Sequence, residues 1–193
     1  MEITTDQIKA LRDKTGVSVM QCRKALTEAG GDSEKALVLL KKRGAEAAAK
    51  KSGRTLGAGA VASYIHPGAT VGALVLLSSE TDFVSRNPEF QALARDIAMH
   101  VAAMKPEFRS VADVPADARA KATEVFAKEV EGKPAAMREK ILEGKLNAYF
   151  GERALLEQPF VKNQDETIRA LIERAVQKFG ERIEVADFTR FAA

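Results

Sequence analysis

The sequence predicts an α+β protein, an N-terminal three-helix bundle followed by a helical core with a small three-stranded antiparallel sheet. Three observations carry that prediction. Apolar residues recur at helical spacing through most of the chain. Between residues 60 and 78 the period becomes that of two strands flanking "HPGA". Near the C-terminus, "RIEVADFTRF" alternates again as a strand. The composition, 46% hydrophobic and 30% charged over 193 residues, suits a soluble globular chain.

The first 44 residues read as three short helices. Thr4 and Gln7 fit a capping box, and Ile3 and Ile8 stand where a hydrophobic staple would close over it. That helix stops at Thr15-Gly16. Ser18 and Gln21 fit a second capping box. The helix they open is expected to bury Val19, Cys22, Leu26 and Ala29, at spacings of three and four, with Met20 off that face. Gly30-Gly31 ends it. Asp32 or Ser33 caps a third helix carrying Ala36, Leu37 and Leu40. "KKRGAEAAAKKSGRTLGAG" is then basic, Ala-rich and finally Gly-rich, a helix fading into a linker. The expected units are residues 1–54, module and basic linker, and residues 55–193, the core.

In the core, Pro67-Gly68 suits the centre of a type II turn between "AVASYI" and "TVGALVLLS". Asn87 and Pro88 are a good N-cap and N1. Phe90, Leu93, Ala94, Ile97, Ala98, Val101 and Met104 follow as one apolar stripe, which Pro106 stops. Pro115 opens another helical segment, Gly132-Lys133-Pro134 breaks it, and a further helix passes through Met137, Ile141, Leu142 and Leu146. "LLEQPFVKN" reads as extended or irregular around Pro159. The last helix holds Ile168, Leu171, Ile172, Ala175 and Phe179, with Gly180 at its C′ position. The final strand shifts phase between Val185 and Ala186, as a bulge would make it do.

Function classes narrow next. No apolar run approaches the roughly 20 residues of a membrane span. The start "MEITTDQIKAL" lacks a secretory pattern, so a cytoplasmic protein without membrane contact is expected. His66 and His100 show no ligand spacing. Cys22, the sole cysteine, lies on an apolar helix face and reads as a packed thiol. No catalytic constellation appears, so neither an enzyme nor a cofactor nor a metal site is expected. Residues 57–62 superficially fit G-x-G-x-x-A, but they precede a strand instead of following one, which excludes the dinucleotide reading. The first 57 residues carry 12 basic against 7 acidic side chains and the rest 18 against 20. Lys41, Lys42, Arg43, Lys50, Lys51 and Arg54 could contact phosphates, an alternative reading as an RNA- or ribosome-binding module. They lack aromatic company for base stacking, and direct nucleic-acid binding is not expected. Two features stand out as partner contacts: Met20, a soft side chain off the buried face, and "SSETDFVSRNPEF", a short loop presenting Phe83 and Val84 beside Asp82.

"TGVSVMQCRKAL", "ETDFVSRN", "IAMHVAAMKPEF" and "LLEQPFVKN" together, in that order and over nearly the whole chain, resemble the short bacterial form of the elongation factor Ts family. The resemblance implies a ubiquitin-associated-like N-terminal bundle on an α+β core. It implies guanine-nucleotide exchange on elongation factor Tu. By the same resemblance, Thr81, Asp82, Phe83 and Val84 match the motif that intrudes near the partner's magnesium site, and Val19 and Met20 match contacts to its GTPase domain. Longer members have two hairpin-plus-helix core units and an inserted coiled-coil hairpin; one unit and no such insertion are expected here. Short members resemble a half that works as a homodimer. With Thr189 in the C-terminal strand and no cysteine near it, such a dimer must be held by packing.

Overall fold

The computed structural model describes residues 3–193, so the first two residues of the N-terminal stretch lie outside it. Helices α1 (Thr5–Thr15), α2 (Val19–Glu28) and α3 (Ser33–Lys51) form the N-terminal bundle. Both halves of the Thr4/Gln7 capping box are made: Gln7 N–H donates to Thr4 Oγ1 at 3.3 Å and Thr4 N–H to Gln7 Oε1 at 3.0 Å. Gly16 ends α1 at φ +68°, a conformation glycine adopts without steric cost. Leu11, Val17, Cys22, Ala25, Leu26, Ala36 and Leu40 fill the bundle. Burial pushes the Cys22 thiol up, which leaves it protonated and unreactive.

Two details of α2 differ from expectation. Ser18 caps Gln21 N–H at 3.3 Å, but the Gln21 side chain does not return to complete the box. Val19 is not buried but 46% exposed. It is the first residue of α2, and helical side chains lean toward the N-terminus, so it projects past the end of the bundle.

Helix α3 is longer than its own bundle requires. Its first half contributes Ala36 and Leu40 to the bundle, while Ala47 and Ala48 pack against the main core. There β1 (Ala58–Ile65) and β2 (Val71–Ser79) form the expected hairpin. Ala69 N–H donates to His66 C=O at 2.9 Å across a turn whose Gly68 takes φ +97°, as a type II turn demands. The chain continues through one-turn helix α4 (Asp82–Ser85), α5 (Pro88–Met104), a 3-10 turn at Val111–Asp113, α6 (Ala116–Val130) and α7 (Ala135–Gly151). Then come β3 (Pro159–Phe160), β4 (Asn163–Thr167), α8 (Ile168–Phe179) and β5 (Ile183–Ala192).

The main sheet has the order β1-β2-β5, antiparallel throughout. In the β2–β5 ladder Leu77 faces Val185 and Leu76 faces Asp187, so Ala186 is the extra residue of the expected bulge. The sheet's inner face (Ala62, Ala73, Val75, Leu77, Ile183, Val185) packs on Phe90, Ile97 and Val101 of α5 and on Ile172 and Val176 of α8. Met104, at the end of the α5 stripe, is exposed. His100 is buried here with both ring nitrogens satisfied. Gln158 gives its amide N–H groups to the Glu152 and Met104 carbonyls, so its oxygen accepts His100 Nε2–H at 2.9 Å. Val161 N–H donates to Nδ1 at 3.2 Å. Burial is the main cause holding the imidazole below its ordinary pKa, hence neutral.

One element and one pairing were not foreseen. The β3–β4 ribbon has no alternation in "NQDET" to announce it. Helices α6 and α7 form on either side of the expected Gly132-Lys133-Pro134 break and pair with each other, which the pattern did not announce; Phe126 and Tyr149 meet edge to face at 5.4 Å between them.

Candidate protein-interaction site

The loop after β2 is a single helical turn, and a single turn does not hold itself together in water. Its order comes from both ends. Val84 is 4% exposed and belongs to the main core. Asn87, half-buried, caps α5 through Glu89 N–H at 2.9 Å and itself donates its backbone N–H to Val84 C=O at 3.0 Å. At the other end Thr81 N–H donates to Glu181 Oε2 at 3.0 Å and the Thr81 hydroxyl to Glu181 Oε1 at 2.6 Å. Between these anchors Phe83 is 84% exposed, the most exposed large apolar side chain among the described residues. Asp82 is exposed beside it and pairs with Arg86 one turn on at 3.1 Å.

The four expected motif residues therefore divide. Phe83 and Asp82 are presented. Val84 is the root that fixes the turn to the core, and Thr81 is tied back to the α8–β5 connection. The adjacent residues fasten the same corner. Glu80 accepts Arg182 N–H and the Arg54 guanidinium, the latter at 3.2 Å. The Arg182 amide, followed by Arg54, holds the Glu80 carboxyl below the usual carboxylate range. Arg182 in turn donates to the Arg54 carbonyl and to Glu184. An open groove of about 680 Å³ beside the turn is lined by β1 and by Asp82, Arg86, Gln91 and Arg95.

Met20 is 71% exposed at the start of α2, next to the exposed Val19, with Arg23 and Lys24 on the same shallow surface. Helix α8 joins this surface to the Phe83 turn. Gln177 donates to the Gln21 side chain at 2.7 Å, and Arg174 to the Lys14 carbonyl at 3.4 Å. The Lys178 ammonium pairs with Glu89 in the first turn of α5. The same ammonium lies 3.4 Å from where a Cβ on Gly16 would stand. One lysine thus pairs with the helix that follows Phe83 and lies beside the loop that precedes Val19.

Of the six cations in the basic stretch, Arg43 pairs with Glu28 and Arg54 with Glu80. This weakens the phosphate-binding reading, because those charges already have internal partners. Among the described residues no cluster of His, Cys, Asp or Glu could hold a metal. Glu80, Glu181 and Lys178 were missed by sequence reasoning. Acids and lysines at turns and helix ends read as solvated, and nothing local announces partners about a hundred residues away.

Comparison with known proteins adds the remaining findings. The family described as Elongation factor TS matches residues 12–193. The elongation factor Ts of Carboxydothermus hydrogenoformans is 47% identical over 191 residues, covering 98% of this chain and 88% of that protein. That of Desulforamulus reducens is 45% identical over 192 residues, with the same two coverages, 98% and 88%. That of Fervidobacterium nodosum is 44% identical over 192 residues, and 98% of each chain is covered.

Proposed function

As a member of the elongation factor Ts family, this chain is a translation elongation factor and not an enzyme, and from that premise we propose that it is the guanine-nucleotide exchange factor for elongation factor Tu in the cytoplasm. The observation that carries the reading is Phe83, an aromatic ring held out in water on a turn whose next residue is locked in the core. An isolated exposed aromatic is costly to no one but useful only if a partner supplies its pocket.

A GTPase holds GDP through backbone N–H groups and a magnesium ion that neutralises the phosphates. Magnesium demands near-octahedral geometry and keeps several waters, so a small displacement of its surroundings is expensive. Phe83 wedges into the apolar packing beside that site and Asp82 competes for its polar contacts. The phosphate contacts loosen and GDP leaves. Val19 and Met20 supply a second point of attachment, which the contacts through α8 hold fixed relative to the first. In this reading residues 1–54 serve as the docking unit and 55–193 as the wedge-bearing and dimerising unit. Linkage requires that GDP weaken binding of this chain by the factor by which the chain weakens binding of GDP. Release of fluorescent GDP from elongation factor Tu tests the wedge: Phe83→Ala releasing it at the parental rate would sink it.

The homodimer is supported by the sheet's outer face. Across the three strands this face reads Val61-Leu76-Asp187, Ser63-Leu74-Thr189 and Ile65-Gly72-Phe191. Val61, Ile65, Leu74 and Phe191 are all exposed there, and no element covers them among the described residues. A second copy of the same face, related by a twofold axis, covers both at once. Light scattering at micromolar concentration, without the partner, separates the outcomes: a monomeric mass excludes the dimer. Among the described residues no helix is long and apolar enough to cross a membrane.

A further inference from the structure

We propose that Glu181 is a positioning residue for nucleotide exchange: by gripping Thr81 it sets the angle at which Phe83 is presented. The inference rests on the exchange reading above and deepens it.

The geometry begins with the β2–β5 ladder, whose last backbone pair is Ser79 with Ile183. Beyond it the chains part, β2 toward α4 and β5 back toward α8. Two carboxylates continue the ladder where carbonyls no longer reach. Glu80 accepts Arg182 N–H, and Glu181 accepts Thr81 N–H. Each chain lends one side chain to the backbone of the other.

Thr81 is consumed entirely by this arrangement. Its amide and hydroxyl both donate to Glu181. Its carbonyl accepts the Ser79 hydroxyl at 3.0 Å and Ser85 N–H at 3.3 Å. A threonine before a helix ordinarily turns its oxygen onto that helix's own amides. Thr81 makes no such bond to α4. The order that α4 cannot generate alone is imported from the α8–β5 connection, and Thr81 acts through its grip on Glu181, not through contact with the partner.

The consequence concerns rate more than affinity. A freed Thr81 leaves Phe83 able to reach the partner but no longer held at one angle. Stopped-flow release of fluorescent GDP from elongation factor Tu, titrated with the full-length protein, tests this. Glu181→Ala should lower the maximal release rate roughly tenfold, the scale of a sub-ångström misplacement. The concentration giving half-maximal rate should stay within about twofold. Glu181→Gln can still accept from the amide and donate to the hydroxyl oxygen, so it should restore most of the rate. Thr81→Val keeps the amide bond, loses the hydroxyl bond, and should fall between; it carries the test if Glu181→Ala does not fold. A parental maximal rate in Glu181→Ala, a Glu181→Gln as slow as Glu181→Ala, or a change confined to the half-maximal concentration would each overturn the proposal. Phe83→Ala measured alongside separates the readings. If it too releases GDP at the parental rate, the wedge itself fails; if it is slow while Glu181→Ala is fast, only the positioning role fails.

Discussion

Phe83 and Phe191 are both phenylalanines standing in water, 84% and 70% exposed, yet their settings are opposite. Phe83 stands alone on one helical turn, with Val84 buried on one side and Thr81 tied to Glu181 on the other. Phe191 lies on a flat sheet face among Ile65, Leu74 and Val61. A lone ring on a rigid root is shaped to enter a pocket. A ring within an apolar field is shaped to be covered by a matching field. Exposure by itself distinguishes neither case; what lies around and beneath the ring does.

The sharpest way to break that contrast is Phe83→Ala. Loss of a central aromatic anchor is worth about 2 kcal/mol or more, which is roughly 30-fold in exchange. Thermal stability should stay within about 0.5 kcal/mol of the parent, because the ring is solvated. Stopped-flow release and a melting curve read both. Phe191→Asp should do the reverse, halving the mass seen by light scattering while leaving the melting curve cooperative; a dimer that survives it argues against the sheet face. Val84→Ala tests the root. Truncating a buried valine should cost roughly 2 kcal/mol of stability, or about 4–8 °C in a domain of this size. Exchange at low temperature should suffer less than with Phe83→Ala.

The smallest expected effect falls on the core that carries both rings. The folded state keeps His100 neutral, below its ordinary pKa. The unfolded chain therefore binds the extra proton first, and stability is full above about pH 6.5 and declines as pH falls through it, by at most about 1.4 kcal/mol per pH unit. Denaturant midpoints at pH 7.5 and 5.5, compared between parent and His100→Gln, isolate this residue. The comparison is needed because burial pushes the Glu173 carboxyl up, and that group gains on acidification. Equal slopes in the two proteins would exclude His100 as the source.

How far these features were legible in the sequence depended on how local their causes are. The Thr4–Gln7 capping box, the Pro67-Gly68 turn, the Asn87-Pro88 helix start and the bulge at Ala186 each depend on neighbours a few residues away, and each formed as expected. Val19 was misplaced because helical periodicity says nothing about where a bundle ends. Ser18–Gln21 formed only half its box because Gln177, 156 residues on, claims the glutamine side chain. Phe83 and Val84 could not be told apart by pattern, since which of two adjacent side chains turns inward depends on the backbone of a single turn. Glu181 was invisible for the same reason as Gln177: its partner is set by the closing of the sheet.

The bulge at Ala186 has one more consequence. Along a strand, sidedness is a matter of odd and even, and one supernumerary residue exchanges the two for everything downstream. Ile183 and Val185 face inward, but beyond Ala186 it is Phe188 that packs toward the core, while Thr189 and Phe191 face out. Ala186 is thus the residue that lets both Val185 and Phe188, an odd and an even position, face the core. Its removal would leave Val185 opposite Leu77 and Asp187 opposite Leu76, so Phe188 would stay on the core face and Phe191 on the outer face, and what would be lost is the local kink between them.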